Sequence, residues 1–201
     1  MDKIEIVEGP IARLPAANVD TDIIYPARFL LITTRDGLGK LAFHDKQDAP
    51  DYAPMFAALA GGAPILVAGP NFGCGSSREQ AVWALKEAGF KVVIAPSFGE
   101  IFQSNCAKNG VLAIRMDAAE GLSTPYGLEN GQPLSVDLRA QTLTGPDGAV
   151  APFVVSPALR EALLNGWDDI ARIKALHRAD IEAFEARRRV AEPWLFPGDR
   201  P

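Results

Sequence analysis

The 201-residue chain is 48 % hydrophobic and 22 % charged, which is ordinary for a folded globular protein and excludes wholesale disorder. Its net charge is −5, and Lys and Arg are dispersed apart from Arg187, Arg188 and Arg189, so the basic face that nucleic-acid binding requires is missing. Two cysteines, Cys74 and Cys106, form no CxxC pair, which argues against a disulfide framework and against a zinc or iron–sulfur site supplied by this chain alone.

Residues 1–10 alternate charged and apolar side chains and lack the apolar core of a secretory signal. No stretch reaches the roughly 18 apolar residues of a membrane span, and a cytoplasmic protein is expected. Residues 18–30 place Asp20 and Asp22 two apart before an apolar run, where turn and cap roles are the simplest reading. Residues 31–63 contain Gly37, Gly39, Gly61, Gly62, Pro50 and Pro54 and no long apolar period, which predicts a loosely anchored segment, mobile in the free chain.

Residues 65–68, 91–95 and 110–114 read as short buried strands. Between them, residues 77–88 and 97–109 carry apolar side chains at helical spacing and stop at Gly89 and Gly110. Alternation of strand and helix predicts an α/β core with parallel pairing. The period then changes to two over 134–138, 141–144 and 150–155, which predicts an antiparallel meander turned by Pro146-Asp-Gly148. Ser156 and Pro157 suit the N-cap and first position of a helix over 158–165, ended by Gly166, and 167–189 reads as mostly helical. One domain is expected, with its core over about 4–170 and a helical tail over about 171–201.

The segment richest in chemistry is Gly69-Pro-Asn-Phe-Gly-Cys-Gly-Ser-Ser-Arg-Glu79, a glycine-rich turn between a strand and a helix. Backbone N–H groups and the positive helix end at such a turn suit an anion. The Walker pattern fails because no Lys follows the glycines, the dinucleotide pattern fails because Arg78 stands where a third Gly belongs, and Ser76 and Ser77 do not complete Gly-x-Ser-x-Gly. What remains is two hydroxyls and a guanidinium. Arg78 is suited to grip a carboxylate through paired hydrogen bonds, and a serine alkoxide held by N–H groups is suited to take a proton from carbon in a dry site. A plain alternative stands beside this: Ser76 as the helix cap, Arg78 paired with Glu79 or Glu87, and the glycines as a tight turn. Cys74 as a nucleophile would need a partner, and the two histidines, His44 and His177, are both remote in sequence.

Taken together, Asn18 to Leu30 and Phe72-Gly-Cys-Gly-Ser-Ser-Arg-Glu79 resemble the small subunits of 3-isopropylmalate dehydratase, in the aconitase superfamily. Trp83-Ala-Leu85, Gly89-Phe90, Val93-Ile-Ala-Pro-Ser-Phe98, Ile101-Phe102, Asn105 and Lys108-Asn-Gly110 extend the likeness in order to about residue 114. A fainter stretch follows at Asn165-Gly-Trp-Asp-Asp-Ile170.

The resemblance implies an α/β fold, a swivelling three-layer β/β/α domain of the aconitase C-terminal type with a mixed sheet and a helical C-terminal tail. It implies a hydro-lyase subunit, active with a large subunit that holds a [4Fe-4S] cluster, whose substrate is a small di- or tricarboxylic acid and whose pathway is leucine biosynthesis. It also implies that Ser76 takes the carbon-bound proton, that Ser77 and Arg78 bind carboxylate, and that Asp22 belongs to the acid/base network, with Arg35 offering a second carboxylate contact. On this view the 31–63 segment governs substrate choice. Gln80 and Val82 stand where the family commonly has His and Pro, and the C-terminal pattern is altered at Phe153 to Arg160 and Gly166 to Lys174, which leaves substrate identity open. A citraconate or dimethylmaleate hydratase, or a non-catalytic carboxylate-binding module on the same fold, are the alternatives.

Overall fold

The computed structural model describes residues 1–32, 34, 36–75, 78–117 and 125–196. Contacts divide the chain into two compact units, Met1–Gly166 and Trp167–Pro201.

The first unit is built on a seven-stranded sheet in the order β4-β3-β2-β1-β5-β6-β7. Its parallel half contains β1 (Ile6–Leu14), β2 (Ile65–Ala68), β3 (Val92–Ala95) and β4 (Leu112–Arg115), and its antiparallel half β5 (Pro133–Asp137), β6 (Thr142–Thr144) and β7 (Val150–Pro152). The helices are α1 (Thr21–Ile24), α2 (Ala53–Ala60), α3 (Glu79–Ala88), α4 (Glu100–Asn109) and α5 (Pro157–Asn165).

Alternation along the parallel strands separates two cores. Ala12, Leu14, Leu66, Ala68, Val93 and Ala95 face one way and pack with Ala81, Val82 and Leu85 of α3 and Phe102 and Cys106 of α4. Ile11, Ile65, Val67, Val92 and Ile94 face the other way and pack against Leu134, Val136 and Leu143 of the meander. A strand buried on both faces reads as a continuous apolar run, which is why β2 and β3 are legible as short strands. Each large aliphatic side chain buried this way stabilises the fold by about 1.5–3 kcal/mol. The expected β/β/α layering with a mixed sheet is what forms.

One central element was not expected. β1 joins the two halves: Ile6–Pro10 pairs antiparallel with β5, and Ile11–Leu14 pairs parallel with β2. Gly9-Pro10 in its middle reads as a turn, but Pro10 sits opposite Pro133 at the point where the strand changes partner. The ladder resumes with Ile11 N–H donating to Gln132 at 2.9 Å, so the missing proline donor interrupts nothing.

Within the 31–63 segment, residues 36–63 are better anchored than their composition suggests. Leu38, Phe43 and Met55 are wholly buried in the helix-side core, and Tyr52 nearly so. Short 3-10 turns at Leu38–Leu41 and His44–Lys46 precede α2; the first buries Leu38 and the second follows the buried Phe43, an arrangement with no period to read. Arg28 bonds both carboxylate oxygens of Asp45 and holds that carboxyl down at about 2.

In the second unit, α6 (Asp169–Leu176) is capped by Asp168, which accepts from Ala171 N at 2.7 Å, and α7 (Arg178–Ala191) follows after His177. Among the described residues no helix is long and apolar enough to cross a membrane.

Candidate functional site

The parallel strands β1, β2 and β3 all end on the same edge, and the loops that leave them are the ones that carry the motifs. In open α/β sheets the crevice beyond the carboxyl ends of the strands is where ligands bind. Here the loop after β2 is stitched between the other two. On one side Asn18 N–H donates to Pro70 O at 3.0 Å, Gly73 N–H to Val19 O at 2.7 Å and Thr21 N–H to Cys74 O at 3.0 Å. On the other, Phe72 N–H donates to Ser97 O and Gly99 N–H to Phe72 O, both at 3.0 Å. Parallel bridges Asp20–Cys74 and Phe72–Phe98 continue the sheet beyond its strands.

These bonds explain why α3 and α4 begin at Glu79 and Glu100, later than helical spacing suggests. They also fix glycine at position 73. Its φ is +70°, and a Cβ there would lie 2.2 Å from Cγ of Phe102, which is itself buried.

Two asparagines lock the outer end of the stitch. Asn18 and Asn71 both take left-handed backbone conformations, with φ of 56° and 57°, and Asn71 Nδ2 donates to Asn18 Oδ1 at 2.8 Å. Asn71 N–H donates to Ser97 Oγ at 2.8 Å. Sequence reading gave these residues no role. The available signal was that Asn tolerates the left-handed region far better than other non-glycine residues, and both stand in turn-rich surroundings.

The stitch brings Asp22 and Arg78 together: Arg78 Nη1 donates to Asp22 Oδ1 in an ion pair between half-exposed and mostly covered side chains. Asp20 is the N-cap of α1, accepting from Ile23 N at 2.7 Å, so the cap reading holds for Asp20 and not for Asp22. The N-cap of α3 is Arg78, in extended conformation, which corrects the reading of Ser76 as that cap. Glu79 and Glu87 are likewise not the partners of Arg78. Glu79 accepts from Asn109 Nδ2 at 2.7 Å, in a cluster where Trp83 Nε1 donates to Asn109 Oδ1 at 2.9 Å, and Glu87 accepts from the N–H groups of Gly37 and Gly39. Ser76, Ser77 and Arg35 lie outside the described residues. Gly75 and Arg78 bracket the two serines directly.

A guanidinium has five N–H donors, so an ion pair through Nη1 is compatible with a second carboxylate on the same fork. Of the two departures from the family pattern, Val82 is wholly buried in the helix-side core and acts in packing, while Gln80 is half-buried on the first turn of α3.

The cysteines do not make a cluster cradle. Cys106 is buried on α4, and burial pushes its thiol pKa up, away from the thiolate that binds metal or attacks carbon. Cys74 is half-buried beside Asp20. Among the described residues no three His, Cys, Asp or Glu side chains gather as a metal site.

Residues 1–119, more than half of the chain, match the aconitase C-terminal domain family, which defines the class to which this sheet and its stitched loops belong. Residues 176–198 match the C-terminal domain of the 3-isopropylmalate dehydratase small subunit. Proteins named 3-isopropylmalate dehydratase small subunit are 45 % identical in Rhodospirillum centenum, covering 98 % of this chain and all of that one, and 44 % identical in Bacillus pumilus, covering 97 % and 99 %. The crystal structure of 3-isopropylmalate dehydratase (LeuD) from Methanocaldococcus jannaschii superimposes with a TM-score of 0.68 at 27 % identity, over 90 % of this chain and 99 % of that one. The chain belongs to the 3-isopropylmalate dehydratase small-subunit family.

Proposed function

We propose that this chain is the small subunit of a cytoplasmic hydro-lyase that interconverts 2-isopropylmalate and 3-isopropylmalate by dehydration and rehydration, in leucine biosynthesis. The observation that carries the reading is the stitched loop block, which pairs Arg78 with Asp22 at the carboxyl ends of the parallel strands, with Ser76 and Ser77 directly before Arg78 in sequence. Full-length relatives bearing that name favour isopropylmalate over citraconate or dimethylmaleate, and favour a catalytic role over that of a binding module.

The partner is a large subunit holding a [4Fe-4S] cluster, which supplies a Lewis acid for the substrate hydroxyl. The residues of this chain do the rest. Arg78 and Ser77 hold a substrate carboxylate, and Asp22 fixes the Arg78 guanidinium and joins the acid/base network. Ser76 Oγ takes the carbon-bound proton, which a serine can do only where N–H groups and a cation stabilise its anion in a closed, dry interface. Arg35 offers the second carboxylate contact.

The test is reconstitution with the large subunit, following alkene formation from each isopropylmalate isomer and from the hydrated form of citraconate. Isopropylmalate should be preferred, no turnover should occur with this chain alone, and Ser76→Ala should lower kcat by about 10²–10⁴ with assembly unchanged. Turnover by the isolated chain, or full activity of Ser76→Ala in the complex, contradicts the proposal.

A further inference from the structure

Arg78 stands at the N-cap of α3 in extended conformation, where a serine, threonine or aspartate would ordinarily accept from the open N–H groups of the first turn. A guanidinium has only donors, so it accepts nothing, and it is turned instead to Asp22. Helix ends fray when nothing holds them. This end begins directly after the residue to which the substrate carboxylate is assigned.

The first turn is held from another helix. Asn109, the buried last residue of α4, donates from Nδ2 to Glu79 Oε1 at 2.7 Å and to Asn105 O at 2.9 Å, and accepts on Oδ1 from Trp83 Nε1 at 2.9 Å. Its main-chain carbonyl accepts from Lys86 Nζ at 2.9 Å. Glu79, Trp83 and Lys86 follow one another at helical spacing, so a single residue of α4 grips one face of α3 along its length. The amide can sit only one way round: the indole N–H donates and a carboxylate accepts, so Oδ1 meets Trp83 and Nδ2 meets Glu79. Burying an amide costs stability unless its polar atoms are bonded, and an apolar side chain could fill the same space. An apolar side chain could not fix Glu79, which is joined to Arg78 by one peptide bond.

We infer that Asn109 is a positioning residue for substrate binding: it pins Glu79, and with it the first turn of α3, so that the Arg78 guanidinium reaches Asp22 and a substrate carboxylate from a fixed backbone. Arg78 is then held at two points, its side chain by Asp22 and its main chain by way of Glu79. This inference rests on the reading of Arg78 as a carboxylate ligand.

The test uses the reconstituted two-subunit enzyme, with Arg78→Lys as the reference for a weakened carboxylate contact. Asn109→Ala should raise KM for isopropylmalate about fivefold with kcat within about threefold. Glu79→Ala, at a half-buried position, should raise KM by a similar factor, and Glu79→Gln, which keeps an accepting oxygen for Asn109, should recover most of the loss. This pair decides the matter if Asn109→Ala does not fold. In the Arg78→Lys background, Asn109→Ala should add less than about twofold, because both changes act through the same side chain. Full additivity there would show that Asn109 does not act through Arg78. An unchanged KM in Glu79→Ala would show that the first turn needs no pin. Parallel losses of kcat and thermal stability, equal in Glu79→Ala and Glu79→Gln, would show a structural role only. Each of these overturns the inference, while a raised KM in Arg78→Lys keeps the carboxylate reading intact. A wild-type KM in Arg78→Lys overturns both.

Discussion

Two segments of the first unit are held by different means. The loop from Pro70 to Cys74 is bonded on both flanks by main-chain N–H and C=O groups of the loops after β1 and β3. The N–H groups of Gly37 and Gly39 are instead met by a single carboxylate, that of Glu87. Main-chain bonding on both flanks supplies the rigidity that the role proposed for Arg78 needs. A turn whose N–H groups are met by one carboxylate can be loosened by changing one side chain.

The comparison can be broken most severely at Gly73, the one loop position with neither room nor backbone freedom for a side chain. Gly73→Ala places a methyl against the buried Phe102 ring in a left-handed conformation, and should destabilise the chain by about 3 kcal/mol. For a unit of this size that lowers Tm by roughly 6–12 °C, measured by calorimetry. A Tm within a degree of wild type would show that the loop is looser than its hydrogen bonds indicate.

A milder cut is Asn71→Ala, which removes the hydrogen bond to Asn18 and puts alanine at φ +57°, and should cost about 1 kcal/mol in urea denaturation. Asn71→Gly loses the same side-chain bond but relieves the backbone, so it should cost less. Equal losses would show that the conformation at this position carries no penalty.

The fold was legible where burial leaves a regular trace. β2, β3 and the helices over 79–88 and 100–109 show as apolar runs and helical spacing closed by Gly89 and Gly110, and Ser156 caps α5 as its place before Pro157 suggests. β1 was not legible because half of it pairs in each direction and its change of partner falls on Gly9-Pro10, the residues that ordinarily spell a turn. Residues 38–58 escaped for a different reason: their buried side chains come from a 3-10 turn, from the residues Phe43 and Tyr52 that precede short elements, and from the short helix α2, so tertiary packing alone defines them. Of the proposed site, Arg78 and Asp22 stood out in the sequence by residue type and motif, but their pairing spans 56 positions and depends on the stitched loops. The clamp by Glu87 has no sequence signature at all, since nothing in a last-turn glutamate names the two glycines it binds.

The central claim is that this loop block presents Arg78 to a substrate carboxylate, and Arg78→Lys in the reconstituted enzyme tests it most directly. Lysine keeps the charge and loses the planar fork that allows one side chain to serve both Asp22 and the substrate. The account predicts that KM for isopropylmalate rises about tenfold or more, with a smaller change in kcat and an unchanged yield of complex. A KM and kcat equal to those of the wild-type complex would contradict it.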